Sequence, residues 1–284
     1  MLVKSLLAAA VAVASVAAET APQIDGFTKI EEYAFNGFAG TLIDETRWNV
    51  ITGPNPANSE AQIYQRSTDN LIYSNTQTLK IIPRKTASGG WTSARIESKR
   101  TFTPPDGHKT RLQAKIRFGD NALANKQGIW PAFWLLGDSI RHGTAWPQCG
   151  EIDILETVNG QMTGYGTVHC DVSPGGICNE GSGLGGNIGF GDNAWHEWRV
   201  TIDRTSAAWT AETITWFRDD QQYWQVTGAR INNEAVWNTL VNSPLYFILN
   251  VAVGGNWPGQ PNASTLGGDG SAMEVAYVAQ YQSN

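Results

Sequence analysis

Charged residues and cysteines are both scarce in this sequence. Asp, Glu, Lys and Arg make up 16% of its 284 residues, and 26 acidic against 20 basic residues give a net charge of −6. Because so few basic residues leave no positive surface for phosphate groups, we expect no nucleic-acid partner. The four histidines are scattered, and the three cysteines lack the Cys-x-x-Cys spacing of zinc sites. We therefore expect no metal ion and no cofactor.

Long hydrophobic runs are also missing, apart from one at the N-terminus. Residues 1–18 combine Lys4, a short apolar core and small residues up to Ala18, a pattern typical of a signal peptide and too short for a membrane span. The remaining residues, 19–284, contain no linker or repeat, and no hydrophobic tail for a lipid anchor. We expect cleavage after Ala18, leaving one secreted domain, 19–284, that is monomeric and carries no membrane anchor.

Long amphipathic helical patterns are absent as well. Short β-prone segments bounded by turn signals recur instead, and residues 196–203 alternate polar and apolar as a half-buried strand does. The other such segments are 78–83, 111–118, 212–218, 245–253 and 274–281. This pattern predicts an all-β fold, an antiparallel β-sandwich.

Against this background, one β-prone run is rich in carboxylates. Residues 149–156 read Cys-Gly-Glu-Ile-Asp-Ile-Leu-Glu. A buried carboxylate is costly without a partner or a proton, so this run favours chemistry, although a solvated edge strand is the alternative. Glu151 and Asp153 share a strand face, and one β-bulge after Asp153 returns Glu156 to that face. Two glutamates around an aspartate are the layout of a glycosidase with a carboxylate pair.

Tryptophan is the residue type in excess, with twelve copies. Most of them are expected in the core. Trp130 and Trp134, however, lie shortly before the acids and would share a strand face. Since indoles pack well against the flat C–H faces of sugar rings, we expect these two to contact a carbohydrate.

The cysteines and one sequon predict covalent features. Cys170 and Cys178 flank a turn-rich segment and are the expected disulfide pair, which leaves Cys149 as a buried free thiol. A Cys149–Cys170 bridge is the alternative. The Asn-Ala-Ser sequon at Asn262 predicts a glycosylated surface loop.

Five motifs in order resemble glycoside hydrolase family 16, and most closely its endo-β-1,3-glucanase (laminarinase) branch. The acid run matches that branch's E-x-D-x-x-E motif and is followed by Val-His at 168–169. The closing strand departs from the family's usual D-Y-V-R-V-Y, without touching the chemistry. The other matching segments are N-S-E-A-Q-I-Y at 58–64, S-A-R-I at 93–96, W-P-A-F-W at 130–134 and I-L-N-V-A-V-G-G-N-W-P-G at 248–259.

The resemblance implies a concanavalin-like jelly roll with an open substrate cleft on its concave sheet. It implies an endo-acting hydrolase of β-1,3-glucan (laminarin), of mixed-linkage β-1,3-1,4-glucan or of both, which works by retaining double displacement. Glu151 would be the nucleophile and Glu156 the acid/base. Asp153 would share a proton with a neighbour and help to keep Glu156 protonated. Calcium often stabilises this fold on its convex side, but the sequence offers no ligand cluster for it.

The resemblance also implies aromatic substrate contacts. Trp130 and Trp134 would flank the sugar at the cleavage point. Trp257 would stack on a glucose further along the chain.

Three polar residues complete the implied binding set. Arg95 and Asn58 would donate hydrogen bonds to sugar hydroxyl groups, and His169 would orient Asp153 or the leaving-group sugar. Two of them have purely structural alternatives, a salt bridge from Arg95 to Glu97 and an ordinary hydrogen-bonded strand histidine at His169.

Other functions compete with glucan hydrolysis. A transglycosylase of the same family would use the same acids, but its usual motif, E-x-D-x-E, lacks the residue that Leu155 adds here. Other relatives cleave galactans such as agarose and carrageenan. A non-catalytic glucan-binding sandwich is the third alternative, and such modules generally lose the acids that are present here.

Overall fold

The computed structural model describes residues 18–55 and 57–284. The predicted signal peptide therefore lies outside the described residues, except for Ala18. Within the described part, the chain is built of β-strands joined by turns and loops, with two short helices. The prediction of an all-β fold is confirmed.

Apart from the first strand, the strands in the first third of the chain are short, and those that follow are longer. In chain order the described strands are β1 (Phe27–Ala34), β2 (Trp48–Ile51), β3 (Gly53–Pro54), β4 (Gln62–Tyr64), β5 (Leu71–Tyr73), β6 (Leu79–Ile81), β7 (Arg84–Lys85), β8 (Trp91–Ser93), β9 (Arg95–Ser98), β10 (Lys109–Phe118), β11 (Ile129–Gly137), β12 (Glu151–Glu156), β13 (Thr163–His169), β14 (Leu184–Gly189), β15 (His196–Asp203), β16 (Thr213–Arg218), β17 (Gln221–Thr227), β18 (Leu245–Val253) and β19 (Met273–Ser283).

The two helices, α1 (Gly228–Ile231) and α2 (Glu234–Val241), lie between β17 and β18. The side chain of Asn233 accepts a hydrogen bond from the backbone of Val236, which caps the start of α2. Trp237 on α2 is buried and donates its indole N–H to the buried carboxylate of Glu212 at 2.6 Å. None of the helices in the described residues is long and apolar enough to cross a membrane. Short 3₁₀ turns occur at Ala57–Ser59, Leu123–Asn125, Asp138–His142, Trp209–Ala211 and Asp269–Ser271.

Two large antiparallel sheets form the sandwich. One sheet has the strand order β17-β16-β15-β10-β19-β6-β5, with β1 paired to β19, and the other has the order β14-β13-β12-β11-β18-β9-β2. A small third sheet, β3-β4-β8-β7, contains a parallel pair between β4 and β8. The order shows that the chain crosses between the sheets repeatedly, as a jelly roll does.

The core lies between the two large sheets because their inward side chains alternate with outward ones. On β11, Phe133 and Leu135 are fully buried in a cluster that also contains Leu112 and Ile116 from β10. The alternate side chains of β11, among them Trp130 and Trp134, face the other way. Strand β11 therefore separates an apolar core from an open outer face, and that outer face carries the site.

Candidate active site

A β-bulge in β12 brings the three acids to one face. In the pairing of β11 with β12, Phe133 lies opposite Leu155 and Trp134 lies opposite Asp153, so Ile154 has no partner. The register of β12 with β13 shifts between Asp153 and Glu156 as well. The extra residue is absorbed as the sequence predicts, and the acids at both ends of the bulge line the same cleft.

The cleft lies on the outer face of the second sheet and has a volume of about 390 Å³. Its floor comes from β11, β12 and β18, and one wall comes from the segment around Asn58. Side chains of three kinds surround it: indoles, carboxylates, and amide or guanidinium groups. They include Trp130, Trp134, Trp146, Glu151, Asp153, Glu156, Asn58, Arg95 and Asn250.

Each of the two glutamates accepts a hydrogen bond from an indole. Trp130 donates to Glu156 at 2.9 Å, and Trp146 donates to Glu151 at 3.2 Å. Trp134, by contrast, donates to no acid. Its indole N–H points to the side-chain oxygen of Asn250 at 2.7 Å.

Burial and mutual repulsion raise the pKa values of both glutamates. Burial, followed by the negative charge of Asp153, raises the pKa of Glu151 to about 8. The same two causes hold the pKa of Glu156 well above its usual value. The carboxylate of Asp153 is itself buried, and one of its oxygens has no hydrogen-bond partner. Three carboxyl groups this close together are stabilised by a nearby cation.

His169 on β13 supplies that cation. Its Nε2 lies 3.4 Å from Asp153 and 4.0 Å from Glu151, and its Nδ1 lies 2.7 Å from the buried carboxylate of Glu180. Burial lowers the pKa of His169, but the contacts with Asp153 and Glu180 outweigh it and raise the pKa to about 12. These contacts favour the imidazolium form of His169. Its two ring nitrogens face acids on opposite sides.

Arg95 both forms a structural salt bridge and lines the cleft. It forms the salt bridge to Glu97 at 2.8 Å, and its guanidinium lies 4.8 Å from the ring centre of Trp134 while lining the cleft. Glu97 is bound by Arg141 as well, at 3.0 Å. The guanidinium is therefore held in place against the indole before any ligand arrives.

Trp257 and Asn58 lie at the margins of the site. Trp257 is 44% exposed, and its ring packs edge-on against Trp130 at 5.6 Å and Tyr165 at 5.1 Å. Because Trp130 in turn binds Glu156, this aromatic group surrounds one end of the acid cluster. Asn58 is exposed, and its carbonyl oxygen accepts the backbone N–H of Asn256 at 2.7 Å. The loop that carries Trp257 is thereby tied to the cleft wall.

The three cysteines and the sequon lie as the sequence predicts. Cys170 and Cys178 form a disulfide, and Cys149 is a buried free thiol. Asn262 is exposed in a turn where its side-chain oxygen accepts a hydrogen bond from the backbone of Ser264.

Sequence reasoning missed Trp146, Glu180 and Asn250. Trp146 lies in the loop before β12, five residues ahead of Glu151, where proximity to the acid motif was an available signal. Glu180 lies in a glycine-rich loop beyond β13, and nothing in its local sequence marks it. Asn250 is the one polar side chain in an otherwise apolar β18, an available but weak signal.

Glu151, Asp153 and His169 approach within 4.8 Å of one another, a grouping that could in principle hold a metal ion. In the arrangement described here, both ring nitrogens of His169 face carboxyl groups. A strand with two indole-bound glutamates around a buried aspartate, at the floor of an aromatic cleft, defines the class of carboxylate-pair glycosidases on a β-sandwich.

Comparison with known proteins agrees with this assignment to the glycosidases. Residues 44–180 match the family model described as an XgeA-like, catalytic GH16 domain. The β-glucanase of Rhodothermus marinus is 31% identical over 88% of this chain and 82% of its own length. The crystal structure of the endo-1,3-β-glucanase from Streptomyces sioyaensis superposes with a TM-score of 0.88 at 33% identity, covering 94% of this chain and 100% of that one.

A third similar protein is the glucan endo-1,3-β-glucosidase A1 of Niallia circulans, 29% identical over 94% of this chain. This chain spans only 40% of that relative's length. The chain belongs to glycoside hydrolase family 16, and it is a glycoside hydrolase with the jelly-roll fold of that family.

Proposed function

We propose that this protein cleaves β-1,3-glucan chains internally, with retention of anomeric configuration. The observation that carries the proposal is the bulged β12, which presents Glu151 and Glu156 on one face, each bound by an indole, on either side of a buried Asp153. Retaining hydrolysis needs two carboxyl groups about 5–5.5 Å apart across the scissile bond. Two glutamate side chains that lean together over the bulge can provide this.

The charges around the two glutamates support different roles for them. The pKa values of both glutamates are raised, and the nearby cation distinguishes them: His169 lies 4.0 Å from Glu151, where its positive charge opposes the upward shift and favours the ionised form that a nucleophile requires. Glu156 lies closer to the indole of Trp130 than to any cation, and its raised pKa keeps it protonated as an acid requires. In this mechanism Glu151 attacks the anomeric carbon while Glu156 protonates the leaving oxygen.

The second half of the reaction uses the same two groups. Once protonated Glu156 has given up its proton, its carboxylate takes a proton from water, and that water displaces Glu151 from the sugar. Asp153 stays between them. Its negative charge raises the pKa of both neighbours and so helps Glu156 to regain a proton for the next turnover.

The substrate class is supported by the wall of the cleft. The indole of Trp134, held by Arg95, and the exposed ring of Trp257 are flat apolar faces suited to neutral sugar rings. Asn58 and Arg95 are the proposed donors to sugar hydroxyl groups. The similar proteins of Niallia circulans and Streptomyces sioyaensis are both named for the cleavage of 1,3-β-glucan, which favours that linkage over galactans.

The proposal also covers the processing, location and cofactor requirement of the protein. We propose residues 1–18 as a secretory signal peptide, residues 19–284 as a single catalytic domain, and an extracellular location for a monomeric enzyme. Asn262 is the proposed glycosylation site. The reaction as written requires no cofactor, and we propose that the enzyme holds no catalytic metal.

A product profile tests the function. Purified mature protein is incubated with laminarin, barley β-glucan, agarose and xylan, each beside the Glu151→Ala variant. We expect short oligosaccharides from laminarin that the variant does not release. Products longer than the input chain would indicate transglycosylation, release from agarose alone would indicate a galactanase, and binding without products would contradict catalysis.

A further inference from the structure

The loop after β13 carries a buried carboxylate, that of Glu180, which contacts His169 on the side away from the acids of β12. The side chain of Glu180 is 0% exposed. One of its oxygens accepts the backbone N–H of Cys170 at 2.8 Å, and the other lies 2.7 Å from Nδ1 of His169. Glu180 is not among the residues that line the cleft. It can therefore reach the reaction only through His169.

The loop itself is fixed at three points, so Glu180 has little freedom to move. The Cys170–Cys178 disulfide closes it, and both cysteines are fully buried. The side chain of Asp171 accepts the backbone N–H of Ile177 at 3.0 Å. Glu180 also exchanges two backbone hydrogen bonds with Gly175. A carboxylate buried at such expense needs a charged partner, and His169 is the one it has.

The groups around the His169 ring define what Glu180 can do. Asp153 and Glu151 on β12 face Nε2, Glu180 faces Nδ1, and the ring of Trp146 packs beside it at 5.5 Å. With its Nδ1–H held by the Glu180 carboxylate, the ring is fixed in orientation and keeps a proton on Nδ1. The two acids of β12 lie on the Nε2 side, and their negative charge favours a second proton there.

We propose that Glu180 is a positioning residue of the active site: it fixes the orientation and the charge of His169, and through His169 it holds a positive charge against the carboxyl groups of Asp153 and Glu151. This inference rests on the proposed function and extends it by one residue. Glu180 makes no contact with substrate in this arrangement. Its loss should therefore reduce turnover without weakening binding.

A double-variant cycle tests the proposal. Glu180→Gln keeps the size of the side chain and removes its charge, and His169→Gln removes the group through which it acts. We expect Glu180→Gln alone to lower kcat about 10- to 100-fold with KM changed less than about twofold, since a small misplacement of a catalytic group has that effect. In the His169→Gln background the same change should alter kcat less than about twofold.

The matched control is Glu212→Gln, which neutralises another buried carboxylate bound by an indole and an arginine, remote from the cleft. It should lower thermal stability but leave kcat near the wild-type value. If Glu180→Gln does not fold, Glu180→Asp takes its place, because it keeps the charge while drawing it away from His169.

A spectroscopic readout separates this proposal from the proposed function. Nitrogen-15 NMR of the histidine rings, with His169 assigned from the His169→Gln spectrum, reports the charge of the ring whether or not any polysaccharide is cleaved. Removing an adjacent carboxylate should lower the titration midpoint of His169 by about one to three pH units. An unchanged midpoint, or an equal loss of kcat with and without His169, would overturn the proposal, whereas an inactive wild type with a shifted midpoint would overturn only the proposed function.

Discussion

The indoles that line the cleft offer a way to distinguish the roles of the two glutamates, through the pH dependence of activity in variants that lack one indole N–H. Trp130→Phe removes the hydrogen-bond donor from Glu156, and Trp146→Phe removes the donor from Glu151, while each leaves an aromatic ring in place. Trp134→Phe is the matched control, because its indole donates to an amide and to neither acid. Three equivalent substitutions in one cleft should therefore have three different effects.

The magnitude follows from the hydrogen bonds. A hydrogen bond to a charged group is worth about 1.5–3 kcal/mol, and one pKa unit corresponds to about 1.4 kcal/mol, so losing the donor should raise the pKa of the carboxyl by roughly one to two units. For Glu156, the acid, a higher pKa means that the proton is kept to higher pH, so the alkaline limb of activity moves upward. For Glu151, the nucleophile, it means that ionisation is delayed, so the acidic limb moves upward. The second shift should be smaller, because the bond from Trp146 is 3.2 Å long and that indole is 40% exposed.

The assay is kcat/KM on laminarin from pH 3 to pH 10 for the wild type and the three variants. We expect the alkaline limb to move for Trp130→Phe, the acidic limb for Trp146→Phe, and neither for Trp134→Phe. If the two limbs exchanged places, the roles of Glu151 and Glu156 would have to be exchanged too. If Trp134→Phe moved a limb as far as the others, the effect would come from general changes in the cleft and the argument from hydrogen bonds would fail.

Three further predictions concern the acids and the disulfide. Glu151→Ala and Glu156→Ala should each lower kcat by several orders of magnitude in a folded protein, and azide should rescue Glu151→Ala with inversion of the product; near-normal activity of Glu156→Ala on laminarin would refute its role. Since the pKa of Glu151 is raised to about 8, the wild type should lose stability, at up to about 1.4 kcal/mol per pH unit, as pH rises from 4.5 to 8. Glu151→Gln should therefore have the higher Tm above pH 8, with the difference vanishing near pH 4.5, and Asp25→Asn in an exposed turn should show no such trend. Replacing Cys170 and Cys178 by serine should lower the free energy of unfolding by roughly 2–3 kcal/mol, measured by denaturant titration, and no loss would mean that the loop holds itself closed.

The catalytic strand could be predicted because its signals are local. Alternation with a period of two places Glu151 and Asp153 together, and the odd spacing of Glu156 demands a bulge, which is present. The same alternation gives the strand at 196–203 with the bounds that the structure has, whereas the strand at 245–253 is marked by a nearly continuous apolar run and is buried along its whole length. Where one face of a strand is buried, the sequence must repeat every second residue, and that repeat can be counted.

The partners of the acids could not be predicted in the same way, because they come from loops. Trp146 lies in a loop after β11 and Glu180 lies in one after β13, and a loop has no repeat that says where its side chains point. Arg95 shows the opposite difficulty. The sequence allows two interpretations of this residue, a salt bridge and a contact with the substrate cleft, and one guanidinium is placed for both, since it binds Glu97 and lies over the indole of Trp134.

The bulge also connects the active site to the core of the sandwich. Where the register of β12 slips, the indole of Trp216 on the opposite sheet donates to the backbone carbonyl of Asp153 at 2.7 Å. Trp216 is fully buried, and it fits there because Gly166 on β13 has no side chain; a Cβ atom at Gly166 would lie 2.2 Å from the indole ring. A side chain at Gly166 would thus displace Trp216, release the carbonyl and allow the bulge to relax. The spacing of the two glutamates is therefore set by packing between the sheets as much as by the residues that face the substrate.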